Sequence, residues 1–241
     1  MPFTFSHPAI ILPLTKYSGR KFSLTGLIIG SMTPDFEYFF RMKIQSNFSH
    51  TIEGLLYFDL PVGVLFAFVF HNIIRNSLYN NLPIFFSKRL KTFKAFNWNK
   101  YFNQHYFVVI ISTLLGAASH LFWDSFTHIH GYSVQAFSIM QDTFDIAGNK
   151  IPVFKILQHL STLLGGLFLT VAFYRLPITN STEHQIDMKY WVSILTISSG
   201  IIGLRVALGI DKNLSGSLIV TSISAILIAM MIAPDLVRQK L

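Results

Sequence analysis

Long apolar runs alternate along the chain with short polar segments. Runs of roughly 17 to 25 residues, the length a helix needs to cross a bilayer, cover Thr51–Ile74, His105–Thr127, Lys155–Tyr174, Tyr190–Gly209 and Leu214–Pro234. A weaker run, Phe22–Phe40, precedes them and is interrupted by Pro34 and Asp35. This pattern predicts an all-α fold: a polytopic helical membrane protein with about six transmembrane helices. No gap between runs exceeds about thirty residues, too few for a separate soluble domain. Residues 1–241 therefore read as a single integral membrane domain, with the unusual polar residues in 1–175 and two further spans in 190–234.

Composition strengthens that picture. The chain is 51% hydrophobic and 12% charged, against about a quarter charged in a soluble domain. Its mean hydropathy is positive. A formal charge of +8 raises the question of nucleic acid, but the basic residues collect between the apolar runs, so no nucleic-acid partner is expected and membrane lipids are. From Arg75 to Gln104 the basic residues are Arg75, Lys88, Arg89, Lys91, Lys94 and Lys100, with no acidic residue. By the positive-inside rule this loop is expected to be cytoplasmic. Alternation then places His128–Phe154 and the turn Ile210–Asn213 outside, and Arg175–Lys189 and the tail with Arg238 and Lys240 inside. The opening MPFTFSHPAIILPL lacks a basic n-region, so no removable secretion signal is expected.

Ionisable groups are costly in a bilayer and usually mark function. Under the topology above, Asp35, His50, His120, Asp124 and His159 all fall toward the outer side, although they come from four segments. In GAASHLFWDSFTHIHG, residues 116–131, His120, Asp124 and His128 recur every four residues. Each step drifts only about 40° around a helix, so the three share a face. Imidazole and carboxylate at that spacing suit a divalent metal, and a chain without cysteine has only such donors for zinc, manganese, iron or nickel. Thr127, Ser119 and Ser49 are candidates to hydrogen-bond the ligands, as is His159 if it is not a ligand itself. Asp59, two turns into a span and followed by Pro61, is a candidate to orient a histidine or carry a proton. His71 and His105 are read as boundary residues, His184 as a loop residue, and His130 with Gly131 as a helix stop. Arg205 either snorkels to the interface or meets an anionic group.

Four stretches then carry a resemblance: MPFTFSHPAIILPL, GLIIGSMTPDFEYFF, SHTIEGLLYFDLPVG and GAASHLFWDSFTHIHG, in that order. They resemble the bacterial integral membrane proteins grouped as domain of unknown function 4184, across the N-terminal two thirds of the chain. More distantly, the order Pro-Asp, His-Thr, His-x-x-x-Asp is similar to inner-membrane metal-dependent hydrolases and zinc-dependent phospholipase C. That resemblance implies Asp35, His50, His120 and Asp124 as metal ligands, His7 as an N-terminal ligand, and His128 as a conditional one, since its spacing departs from the phospholipase pattern. The final His-x-x-x-Glu of the phospholipases has no counterpart, as His159 is followed by Ser161, Thr162 and Leu163. One or two ions, zinc first among them, are therefore expected rather than three. His7 reaches an outer site only if residues 6–16 fold back, or if the first span breaks at Pro34; otherwise it is structural. The function expected is a metal-dependent hydrolase of the bacterial inner membrane, acting on phosphoesters of lipid or lipid-linked substrates, with Asp35 or Asp124 as general base. A transporter or a scaffold with a His/Asp ion site is the alternative.

Overall fold

The computed structural model describes residues 3–17, 21–179, 186–210 and 214–238. Arg20, His184, residues 211–213 of the expected outer turn, and Lys240 lie outside the described residues. Among the latter, five helices are long and apolar enough to cross a membrane: α1 (Ile52–Asn81), α2 (Trp98–Asp124), α3 (Val153–Tyr174), α4 (Met188–Ala207) and α5 (Leu214–Arg238). The chain is a polytopic helical membrane protein. Leu160, Leu163, Leu164 and Leu167 on α3 are exposed together, as suits a helix whose surroundings are hydrocarbon rather than water.

The sixth expected span is where the structure departs from a simple helix. Within Phe22–Phe40 the chain forms Leu24–Gly30, a 3-10 turn at Thr33–Asp35 and the short helix Phe36–Arg41. Seven helical residues rise only about 10 Å, a third of a bilayer core. The break follows from TPD: proline cannot donate a backbone hydrogen bond, and Thr33 turns its hydroxyl back onto the Gly30 carbonyl at 2.8 Å. At its other end Ser23 caps Leu24–Gly30 and its amide donates to Ser112 Oγ at 2.8 Å. Because Ser112 is three turns back from Asp124 along α2, Leu24–Gly30 begins at that depth and climbs toward the end of α2.

Other boundaries shift too. α2 starts at Trp98 rather than His105, and His105 instead marks a kink (φ −136°, ψ 31°) within it. It ends at Asp124, three residues before the expected Thr127. Gly131 does not stop it in a left-handed conformation: it is the N-cap of Tyr132–Ala136 with φ −66°. It is glycine because a Cβ there would stand 2.4 Å from the Ser125 carbonyl oxygen. In α1, Leu60 bonds back to the Leu55 carbonyl in a wide π-turn at Leu55–Asp59, the local opening expected beside Pro61. The segment expected to be an outer loop carries a two-stranded hairpin, β1 (Thr143–Ile146) with β2 (Asn149–Pro152), turned at Ala147 and Gly148, both at positive φ.

The chain packs into two compact units. The first comprises Met1–Asp35, Phe48–Val64 and His105–Arg175. In it, glycines bring two helices into backbone contact: a Cβ on Gly30 would stand 2.2 Å from the Thr113 carbonyl oxygen, and one on Gly116 would stand 2.4 Å from that of Leu27. The second comprises Phe36–Asn47, Leu65–Gln104 and Leu176–Leu241. Its core is Tyr190 and Ile194 of α4 against Ala229 and Ala233 of α5. There His71 stacks on Trp98 with rings 6° from parallel, while Arg75 reaches His71 Nδ1 at 3.0 Å and the Phe96 carbonyl at 2.7 Å. Arg205 donates to the carbonyl of Gly209, just past the end of its own helix, α4, the place where a cation complements exposed carbonyls.

Candidate metal centre

Five of the ligand candidates, His7, Asp35, His50, His120 and Asp124, meet in the first unit. His7 lies between the 3-10 turn Thr4–Ser6 and the short helix Pro8–Ile11. Asp35 ends the Thr33–Asp35 turn, His50 precedes the N-cap of α1, and His120 and Asp124 occupy the last turn of α2. His7, Asp35 and His120 bring donor atoms within 4.8 Å of one another, as do His50, His120 and Asp124. His7, Asp35, His120 and Asp124 are buried. The N-terminal segment folds back beside α3, where Phe3 donates to Thr162 Oγ1 and Ser6 to the Thr162 carbonyl. That fold brings His7 to the site.

The hydrogen bonds around the cluster determine which atoms face inward. His120 Nδ1 lies 2.8 Å from the Ser31 carbonyl, which can only accept, so Nδ1 carries the proton and Nε2 of the neutral ring presents its lone pair. His50 follows the same logic through one more link. Ser49 donates its hydroxyl to the Pro34 carbonyl at 2.6 Å and is left to accept from His50 Nδ1 at 3.1 Å. Asp35 Oδ2 accepts from Thr4 Oγ1 at 2.5 Å, leaving Oδ1. These outer contacts fix ring and carboxylate orientation in the way metal sites require.

What faces inward is a set of buried polar atoms held 3.3–3.6 Å apart. His120 Nε2 is 3.3 Å from Asp124 Oδ2 and 3.6 Å from Asp35 Oδ1. His50 Nε2 is 3.5 Å from Asp35 Oδ1 and 3.6 Å from Asp124 Oδ2. His7 Nε2 is 3.6 Å from Asp124 Oδ1, and its ring stacks on that of His120 at 3.6 Å. Asp35 Oδ1, His120 Nε2 and both Asp124 oxygens make no hydrogen bond among the described residues, although an unsatisfied buried polar group is costly. Two donors each about 2.1 Å from one ion stand about 3.0 Å apart at a right angle and about 3.4 Å apart at the tetrahedral angle. The donors therefore fit a divalent cation.

Burial and the neighbouring His120 hold His7 down to about 3, so it is a neutral donor at ordinary pH. For His50, burial acts downward, but Asp124 and Asp35 outweigh it and the ring rises to about 9.

The remaining candidates divide. His128 follows the end of α2; its Nδ1 is 3.2 Å from the Asp124 carbonyl and 3.4 Å from Asp124 Oδ2, and it belongs to neither donor set. Thr127 is buried, 3.3 Å from His128 Nδ1. Asp59 is fully buried in the π-turn that packs against Thr33–Asp35. Ser119 spends its hydroxyl on the Gly116 carbonyl. His159 is exposed on α3 and joins no donor set. Thr4, which holds Asp35, is marked in the sequence only by its place three residues before His7, a turn's spacing.

A family model described as Domain of unknown function (DUF4184) matches residues 1–234. The chain belongs to that family. The DUF4184 match runs through α4 and most of α5 as well, beyond the N-terminal two thirds that carry the four motifs. No curated protein and no solved structure matches the chain.

Proposed function

We propose that this DUF4184 protein is a membrane-bound, metal-dependent hydrolase of phosphoesters on lipid or lipid-linked substrates. The observation that carries the reading is the convergence of His7, Asp35, His120 and Asp124, whose inward donor atoms make no hydrogen bond among the described residues, with His50 at ion-sharing distances. His120 has one nitrogen free and stands in both donor sets, which favours a single ion with up to five protein donors. Zinc is the first expectation; three nitrogens and two oxygens also suit manganese or iron. A divalent ion there would supply Lewis acidity and lower the pKa of a water.

The chain's own groups would do the rest. Asp124 Oδ2 faces His50 and His120, whereas Oδ1 faces His7. Asp124 Oδ1 is thus positioned to take the proton of a water as its oxygen bonds to phosphorus, and to return it to the alkoxide as the ester P–O bond breaks. Asp35, with Oδ2 engaged by Thr4, is a ligand rather than a base. Transport is the less favoured reading: in the second unit, His71 is held by Trp98 and Arg75.

The test is bound metal and phosphoesterase activity of the protein in detergent. Wild type should hold about one ion per chain and hydrolyse a phosphoester; His120→Ala and Asp124→Ala should lose both, and His159→Ala should retain both. Stoichiometric metal in His120→Ala and Asp124→Ala would overturn the site. Metal flux into liposomes without hydrolysis would favour transport.

A further inference from the structure

An apolar groove of about 890 Å³ leads away from the metal centre within the first unit. One wall is the N-terminal segment from Ser6 to Pro13, and the other is one face of α3. The walls meet where Gly165 packs on Ser6: a Cβ on Gly165 would stand 3.0 Å from Ser6 Cβ. His7 and Trp123, the neighbour of Asp124, line its upper end, and Arg175 lies at the lower end. Between them Leu157, Leu164, Phe168 and Val171 recur at helical spacing. Ser6 and Ser161 also line the groove, but their hydroxyls donate to the Thr162 and Leu157 carbonyls. The interior therefore offers hydrocarbon, with polar groups only at the ends.

Its length restricts the occupant. From Leu157 to Arg175, eighteen residues on, the groove follows α3 for about 27 Å, whereas one leaflet is about 15 Å deep, half of a ~30 Å hydrocarbon core. A diacyl lipid with its phosphate at the metal centre would end near the midplane and occupy only the upper half of the groove. Its volume also lies near the top of the roughly 300–1,000 Å³ range of ligand pockets, with room for a methyl-branched chain.

We propose that the groove holds the tail of a lipid phosphate whose single hydrocarbon chain is longer than one leaflet is deep, of the long polyprenyl phosphate type. The phosphate end lies at His7 and Asp124, and the chain runs down α3 toward Arg175. This assignment rests on the phosphoester reading for the position of the head group. The tail site is read from the groove itself.

The test uses the full chain in lipid nanodiscs with a trace of long polyprenyl phosphate bearing a diazirine on its terminal isoprene, and in parallel a phosphatidic acid bearing one at an acyl terminus. After irradiation, labelled residues are mapped by mass spectrometry. The polyprenyl probe should label Phe168 to Arg175 in preference to α4 and α5. Leu164→Trp and, independently, Ala9→Phe should lower that labelling several-fold with metal content unchanged. Leu164 is an exposed residue, so the larger side chain there fills the groove without straining a core. Even labelling of all lipid-facing helices, or no response to either variant, would overturn the proposal. Equal labelling of Phe168 to Arg175 by phosphatidic acid would overturn the chain-length assignment. Groove labelling without hydrolysis of any phosphoester would retain the groove and refute the hydrolase; hydrolysis without groove labelling would do the reverse.

Discussion

Thr4 shows how much of a metal site lies outside its ligands. Its hydroxyl occupies Asp35 Oδ2 and so presents Oδ1 to His50 and His120. Thr4→Val, which removes no donor atom from the centre, should weaken metal binding by about 10- to 100-fold, and Thr4→Ser should restore it; a chelator-competition titration reads both. His50 contributes one part of the pH dependence of metal binding. Its folded pKa of about 9 lies above the ordinary 6.5, so at pH 7 the metal-free ring is protonated and an incoming ion must displace that proton. The proton is lost only as pH rises through about 9, so affinity should rise with pH up to that point. One displaced proton contributes about tenfold per pH unit, and His50→Asn should make the slope shallower by that one proton. His7, held neutral down to about 3, should contribute nothing to the slope between pH 6 and 9.

Elements place these residues by close backbone approach. The Ser31 carbonyl reaches His120 because Leu24–Gly30 lies against α2 with Gly30 and Gly116 at the contact. Gly116→Ala would drive a methyl group into the Leu27 carbonyl. It should cost about 1–3 kcal/mol, read as a lower melting temperature in detergent, and should reduce bound metal together with it. Gly166, inside α3, where an added Cβ meets nothing within 4 Å, is the matching control: Gly166→Ala should leave bound metal unchanged and should not lower the melting temperature. At this scale the sequence was partly legible. The i, i+4 pair His120 and Asp124 is on one helical face, as the spacing required. His128, at the next repeat, falls past the helix end and joins neither donor set, because periodicity says nothing about where a helix stops. The break at Thr33–Asp35 was visible as Pro34, but not its consequence, a half-length helix.

Across the whole molecule, the distribution of apolar runs and basic loops makes a topological prediction. Cysteines introduced at residues 88 and 178 should be labelled by a membrane-impermeant reagent from the cytoplasmic side, and one at residue 145 in the β1–β2 hairpin from the opposite side. Labelling of residue 88 from outside would reverse the orientation while leaving the metal centre unaffected. Among the described residues, five helices of spanning length and a broken N-terminal region fit the expected total of about six. Hydropathy counts a broken helix and a continuous one alike when their composition is the same.

The sequence alone determined that this is a helical membrane protein, because bilayer-length apolar runs leave the backbone no other way to satisfy its polar groups. It also marked which polar residues were out of place there. Only the tertiary structure decided which of them meet. His7, Asp35 and His50 are brought to His120 and Asp124 by a folded-back N-terminus, a proline-broken turn and the link from Ser49 to the Pro34 carbonyl. His159, equally conspicuous in the sequence, stays on the exposed face of α3. The physical reason is that hydropathy depends on the side chains of one segment, whereas a shared site depends on contacts between segments, where differences of tenths of an ångström count.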